Sequence, residues 1–115
     1  MSWSTKAEAV KAGKKALKAM TTSKWKIRVW ENRGWHVSLI RKFMNLSITH
    51  YGGESALVYS VLVSCDALYP GTGETYWSDD SRQYDDPNKA VEGAIKQVRA
   101  FVKRANKCLK EIESN

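Results

Sequence analysis

Hydrophobic and polar residues repeat first with the period of a helix, then with period two, and then with the helical period again. At about 100° per residue, Val10 and Leu17 fall on one side of residues 6–20. Thr5 and Glu8 match the capping box, in which the two side chains satisfy free backbone N–H groups at a helix start. We therefore predict an amphipathic helix over residues 6–20. Its polar face carries Lys11, Lys14, Lys15 and Lys18.

Strict alternation follows and predicts a β-hairpin. One face of the hairpin carries Trp25, Ile27, Val29, Trp35, Val37 and Leu39, and the other carries Lys26, Arg28, Trp30, His36 and Ser38. A three-residue loop over residues 32–34, with Gly34 in the left-handed conformation, keeps these faces matched. This register pairs Val29 with Val37, and it places Trp30 across from His36.

Further strands are indicated after the hairpin. Residues 44–49 alternate, and they follow Arg41 and Lys42, a turn that lacks glycine. Residues 57–63 are apolar on both faces, which is typical of a central strand or of one covered on both sides. Residues 75–77 are expected to add a short strand after a loop rich in glycine.

The helical period returns from Pro87 to the end of the chain. Val91, Ile95, Val98, Val102, Leu109 and Ile112 belong to one broad apolar stripe. The opposite face is almost entirely basic, with Lys89, Lys96, Arg99, Lys103, Lys107 and Lys110 interrupted only by Glu92. We expect the whole stripe to pack on the sheet, so that truncation to alanine costs roughly 2–5 kcal/mol at Leu109 and somewhat less at Val98.

These elements predict a single α+β domain over residues 1–115. We expect an antiparallel sheet of three to five strands, with the N-terminal helix and the long C-terminal helix packed on one face. A length of 115 residues and a hydrophobic fraction of 43% suit one folded domain with a substantial core. No long apolar run indicates a membrane span or a signal peptide, so we expect a cytoplasmic protein with no membrane partner.

The net charge of +7 is distributed unevenly. Residues 1–50 carry eleven bases and two acids, residues 51–88 carry one base and seven acids, and residues 89–115 carry seven bases and three acids. Such poles steer oppositely charged partners. Cys65 and Cys108 lie far apart without metal-ligand spacing, and we interpret both as reduced thiols.

The acidic pole contains the segment WSDDSRQYDDP, residues 77–87. Asp86 and Pro87 suit the N-cap and the first position of a helix, and Asp85 complements the helix dipole. Asp79 and Asp80 leave a divalent-cation site conceivable, but the spacing of an EF-hand is absent. We therefore predict helix capping for half of the cluster, and we predict neither a metal site nor a cofactor.

The order of one helix, several antiparallel strands and a second helix resembles the double-stranded RNA-binding domain. That resemblance implies phosphate binding by a lysine-rich start of the second helix. This chain has DDPNKAVEGA there, with Lys89 alone, and Asp85 and Asp86 would repel a phosphate. The Gly13-Lys14-Lys15-Ala16 run lies in the first helix instead.

A second resemblance combines short length, five tryptophans, a hairpin sheet with flanking helices, and a Y-x-D-P-x-x-A-V-x-x-A ending over residues 84–94. In these features the chain is similar to small accessory proteins of phages and mobile elements, including anti-CRISPR and other anti-defence inhibitors. The resemblance implies an inhibitor that occupies a surface on a host protein or ribonucleoprotein without doing chemistry.

The candidate binding residues are therefore cations and aromatic side chains. Trp30 among bases is a candidate anchor, since tryptophan and arginine dominate interface hot spots and tryptophan also stacks on bases. The alternative is that a helix or the 65–76 loop covers it. His36 and His50 show no spacing of a triad or metal pair, and we expect no catalytic activity. The binding candidates are Lys26, Arg28, Trp30 and His36 on the sheet, and Lys96, Arg99, Lys103 and Lys107 on the last helix; direct nucleic-acid binding is the alternative function.

Overall fold

In the part of the chain that the structure describes, two helices pack on a five-stranded sheet, which confirms the predicted α+β class and element order. The computed structural model describes residues 2–21, 24–50, 56–64, 76–78 and 83–115, with the backbone alone for 76–78. The elements are α1 (Lys6–Ala19), β1 (Lys26–Glu31), β2 (Trp35–Arg41), β3 (Met44–His50), β4 (Leu57–Ser64), β5 (Tyr76–Ser78) and α2 (Pro87–Glu113).

The sheet is an antiparallel meander in which each strand pairs with the next along the chain. The predicted hairpin register is confirmed: Val29 pairs with Val37, and Trp30 pairs with His36. The loop between β1 and β2 holds Arg33 at a φ of 55° as well as Gly34 at 122°. The turn therefore uses one more positive φ than the single glycine that the sequence pattern suggested.

Both helices pack on the same face of the sheet, which we call the inner face. Helix α1 covers β1 and β2, and α2 covers β4 and the adjoining part of β3. Gly13 permits the close approach of α1, because a Cβ there would lie 2.8 Å from Cγ2 of Val37. The helices contribute small buried side chains and the strands larger ones: Ala9, Ala12, Ala16, Ala90 and Ala94 against Val37, Leu39, Leu46, Ile48, Tyr59, Val61 and Val63.

Helix α1 begins with half of the predicted capping box. Thr5 is the N-cap, and its hydroxyl accepts a hydrogen bond from the backbone N–H of Glu8 at 3.2 Å. The Glu8 carboxylate accepts a bond from that same hydroxyl at 2.9 Å. One side-chain pair therefore braces the first turn, although the carboxylate bonds the Thr5 side chain where the full motif uses its backbone N–H.

Helix α2 begins at a backbone bridge to the sheet. The N–H groups and carbonyls of Tyr59 and Tyr84 pair at 2.8 and 2.9 Å, which fixes the segment that leads into α2. Burial raises the pKa of the Tyr59 hydroxyl, and the negative charge of Asp86 raises it further. A phenol is already neutral at physiological pH, and both effects act against the charged form.

The predicted cap of α2 is confirmed at Asp86. One of its carboxylate oxygens accepts from the backbone N–H groups of Asn88 at 2.8 Å and Lys89 at 3.2 Å. Asp85 instead lies 3.7 Å from the Lys89 ammonium in an exposed pair. Two of the four aspartates thus have structural roles, while Asp79 and Asp80 lie outside the described residues.

We expect Asp86→Ala to lower the free energy of unfolding by about 1 kcal/mol, because two N–H groups lose their acceptor. Asp85→Ala is the matched control and should change it by less than about 0.5 kcal/mol, as exposed ion pairs contribute little. Urea denaturation of the two variants measures the difference. Equal losses from both variants would contradict the assignment of Asp86 as the cap.

The second half of α2 extends past the sheet, and here the expected core is wrong. Val102 and Leu109 are 46% and 52% exposed, and Ile112 is 64% exposed. The molecule measures 59 × 27 × 27 Å along its principal axes, so its longest dimension is more than twice either of the others. Val91 and Val98, in the first half of the apolar stripe, pack against the core, whereas Ile95 between them is 36% exposed.

Candidate functional site

The sheet surface turned away from the helices is the outer face. It consists of alternate residues of β1 to β4, which the structure describes throughout, and none of them is acidic. Apart from Ser38, which is buried, and the exposed Lys26 and Arg28, every outer-face residue is partly exposed. The outer face comprises Lys26, Arg28, Trp30, His36, Ser38, Ile40, Asn45, Ser47, Thr49, Val58, Ser60, Leu62 and Ser64.

Trp30 lies at the centre of a cation and aromatic cluster on the outer face. Its ring stacks on the His36 imidazole, with centroids 5.4 Å apart and planes inclined by 17°. The Arg28 guanidinium lies 5.2 Å from the centroid of the indole. The alternation of β1 and the register with β2 place these three side chains together, as the sequence predicted, and Trp30 is partly exposed. We call this group the Trp30 cluster.

His36 also holds the loop that ends the hairpin. Its Nε2 lies 2.8 Å from the carbonyl oxygen of Asn32. Because a carbonyl oxygen only accepts, Nε2 must carry the proton and donate it. The imidazole plane is thereby fixed in position for the contact with Trp30, so the cluster is organised before any partner binds.

His50 has a different role on the inner side of the sheet. Its Nε2 lies 2.8 Å from the carbonyl oxygen of Ser2, and its ring lies 4.4 Å from that of Trp3. Trp3 in turn pairs with Trp35 through backbone hydrogen bonds of 2.7 and 2.8 Å. These contacts fasten the N-terminal segment to β2 and β3. The two histidines therefore lie on opposite faces of the sheet.

Ser38 is a buried polar group beneath the outer face. It is 0% exposed although it points away from the core, and its hydroxyl has no hydrogen-bond partner within the described residues. Its neighbour across the strands, Ser47, is partly exposed. A buried hydroxyl without a partner loses the hydrogen bonds that water supplied in the unfolded chain, at a cost of about 1–3 kcal/mol.

Ser38→Ala should therefore raise the free energy of unfolding, by about 1 kcal/mol. Ser47→Ala is the matched control and should change it by less than about 0.5 kcal/mol, because water already satisfies that hydroxyl. Thermal and urea unfolding of both variants provide the measurement. A loss of stability in Ser38→Ala would mean that the hydroxyl has an acceptor.

The predicted binding residues are divided between two surfaces. Lys26, Arg28, Trp30 and His36 share the outer face, whereas Lys96, Arg99, Lys103 and Lys107 are exposed on α2. Since α2 packs on the inner face, the structure does not bring the two sets together. Sequence reasoning also missed the buried Ser38 hydroxyl, because alternation shows which face a residue takes but not how its neighbours cover it.

Other chemical groups in the described part of the chain are few. Cys108 carries a free, exposed thiol, and Cys65 lies outside the described residues. No three His, Cys, Asp or Glu side chains among the described residues come together as metal ligands. Neither α1 nor α2, the helices of that part of the chain, has the length and apolar composition needed to cross a membrane.

Comparison of the chain with protein-family models, with curated proteins and with solved structures finds no match.

Proposed function

We propose that this chain is a small non-catalytic binding protein whose outer face docks on an acidic surface of a partner protein or ribonucleoprotein. The observation that carries the proposal is the Trp30 cluster, in which a partly exposed tryptophan contacts arginine and histidine. Tryptophan and arginine supply most of the binding energy at many protein interfaces. The absence of outward carboxylates on β1 to β4 favours a partner of negative charge.

The organisation of the cluster supports a protein partner over a stacked base. The Trp30 ring already contacts His36 and Arg28. A base stacking on the indole would compete with these contacts, whereas a protein surface covers the cluster as a unit. An inhibitor of the anti-CRISPR or other anti-defence type acts in this manner, by occupying a surface that its host target needs.

Photocrosslinking tests the outer face directly. A photoreactive phenylalanine derivative at position 26 lies beside the cluster, and the same residue at position 11 lies on α1; both replace an exposed lysine. In lysate of the source cells, position 26 should yield a discrete adduct that protease removes and nuclease does not. Position 11, the matched control, should not yield it. No adduct, or equal adducts from both positions, would refute the proposal.

Direct nucleic-acid binding is the second candidate function. It is favoured by the exposed cations of α2, Lys96, Arg99, Lys103 and Lys107. Phosphate contacts through these residues would make affinity fall steeply with salt. A nuclease-sensitive adduct, together with a mobility shift of duplex RNA that disappears as salt rises, would select this function instead. The carboxylates of Asp85 and Asp86 at the start of α2 oppose the phosphate contact made there in the double-stranded RNA-binding domain.

A further inference from the structure

The part of α2 beyond the sheet carries apolar side chains in a coiled-coil repeat. Ile95, Val98, Val102, Ala105, Leu109 and Ile112 are spaced alternately by three and four residues, which is the a and d pattern of heptads. The last four of these residues are all exposed, and we call them the free stripe. Within the free stripe, Leu109 and Ile112 are more than half exposed. Exposure of these apolar side chains to water is unfavourable unless another surface covers them.

We propose that the free stripe binds the free stripe of a second copy of this chain, in an antiparallel helix pair. In such a pair, a positions of one helix face d positions of the other. One overlap uses all four exposed positions and no others: Val102 faces Ile112 of the second copy, and Ala105 faces Leu109. A shift by one heptad in one direction would require Ile95 and Val98, and Val98 packs against the core. A shift in the other direction would leave Val102 and Ala105 uncovered.

The charges beside the free stripe fit this overlap. Arg99 and Glu113 occupy e positions, are both exposed, and come level with each other across the pair. Two-fold symmetry makes this ion pair twice. It also places Asn106 and Cys108 of one copy beside the same residues of the second copy, on either side of the symmetry axis.

A parallel pair lacks this complementarity. Arg99 and Glu113 would lie about 21 Å apart along the axis, fourteen residues at 1.5 Å each. Cys108 would instead face Glu113 of the second copy, and Phe101 would face Asn106. Charge therefore selects the antiparallel orientation.

The contact is small, so the association depends on concentration. Residues 99–113 span about 22 Å of helix, which places the interface at the lower end of the protein–protein range. We expect a monomer when the protein is dilute and a dimer when it is concentrated. This association goes beyond the binding proposed for the outer face, since it uses different residues, in the part of α2 that extends past the sheet.

Sedimentation equilibrium of the full chain over a roughly hundredfold concentration range tests the proposal. Leu109→Glu should raise the dimer dissociation constant at least about tenfold, because it buries a charge in the stripe. Lys107→Glu, on the opposite side of the same helix, is the matched control and should change it less than about twofold. Both positions are exposed, so both variants should fold, and circular dichroism checks this.

A charge exchange tests the orientation. Arg99→Glu should weaken the dimer severalfold, and adding Glu113→Arg should restore it. A short bismaleimide should link Cys108 to Cys108 of the second copy, and peptide mass spectrometry identifies the linked peptides. A dimer that the exchange does not affect would overturn the antiparallel arrangement.

A chain that stays monomeric at every concentration, or a dimer that Leu109→Glu leaves intact, would overturn the association itself. If the chain stays monomeric, the partner that covers the free stripe would be a different protein. Leu109→Glu should leave the photocrosslink from position 26 unchanged, so failure of the dimer and failure of the outer-face proposal are distinguishable.

Discussion

Leu39→Ala is expected to lower the free energy of unfolding by about 2–5 kcal/mol, whereas Leu109→Ala should change it by less than about 0.5 kcal/mol. Leu39 is fully buried in β2, between β1 and β3, and its removal leaves a cavity where α1 crosses the sheet. Leu109 is 52% exposed beyond the sheet. The same substitution is therefore expected to cause a large loss of stability at Leu39 and almost none at Leu109.

Urea denaturation of dilute protein, where the chain is monomeric, measures both variants. A large loss in Leu109→Ala would mean that the second half of α2 packs on the domain. A small loss in Leu39→Ala would mean that the inner face is not the core. Either result would contradict the arrangement of helices described above.

Trp30→Ala is expected to weaken binding of the partner captured through position 26 by at least about thirtyfold, which corresponds to about 2 kcal/mol. The substitution removes the indole and leaves Arg28 and His36 without the ring that they contact. Arg28→Ala should weaken binding by about tenfold, and this loss should shrink as salt rises.

Phe43→Asn is the matched control for Trp30→Ala. Phe43 is a second exposed aromatic residue, 52% accessible, in the turn between β2 and β3. Its φ of 70° is a conformation that asparagine adopts readily, so the variant should fold. Isothermal titration calorimetry compares the variants. If Phe43→Asn weakens binding as much as Trp30→Ala does, the Trp30 cluster is not the centre of the interface.

The sheet could be predicted from the sequence because two independent constraints agree there. Alternation assigns each residue to a face, and a three-residue loop is the connection that keeps Ile27 and Val29 on the same face as Val37. A slip by one residue would expose one set of apolar side chains. The structure therefore has the predicted register, and the neighbours of Trp30 follow from it.

The helix stripe was misread because helical periodicity does not distinguish a core from an unoccupied interface. Apolar positions at spacings of three and four residues suit both packing on a sheet and a coiled coil. The lengths of the helix and the strands distinguish the two cases. A 27-residue helix extends about 40 Å, whereas strands of seven or eight residues extend about 25 Å, so the last turns have no sheet beneath them.

The buried state of Ser38 could not be predicted from its own residue type. Alternation assigns it correctly to the outer face, and serine is common on exposed strands. The structure pairs it with Arg28 across the strands and buries it completely. Such coverage depends on side-chain packing that no local pattern records.

Oxidative footprinting of Trp25, Trp30 and Phe43, in the free protein and in the complex with the captured partner, tests the role of the outer face most directly. Trp25 is the internal standard because it is only 4% exposed. In the free protein Trp30 should oxidise faster than Trp25, and in the complex its rate should fall while that of Phe43 is unchanged. A Trp30 that reacts as slowly as Trp25 in the free protein, or equally fast with the partner bound, would contradict binding through this face.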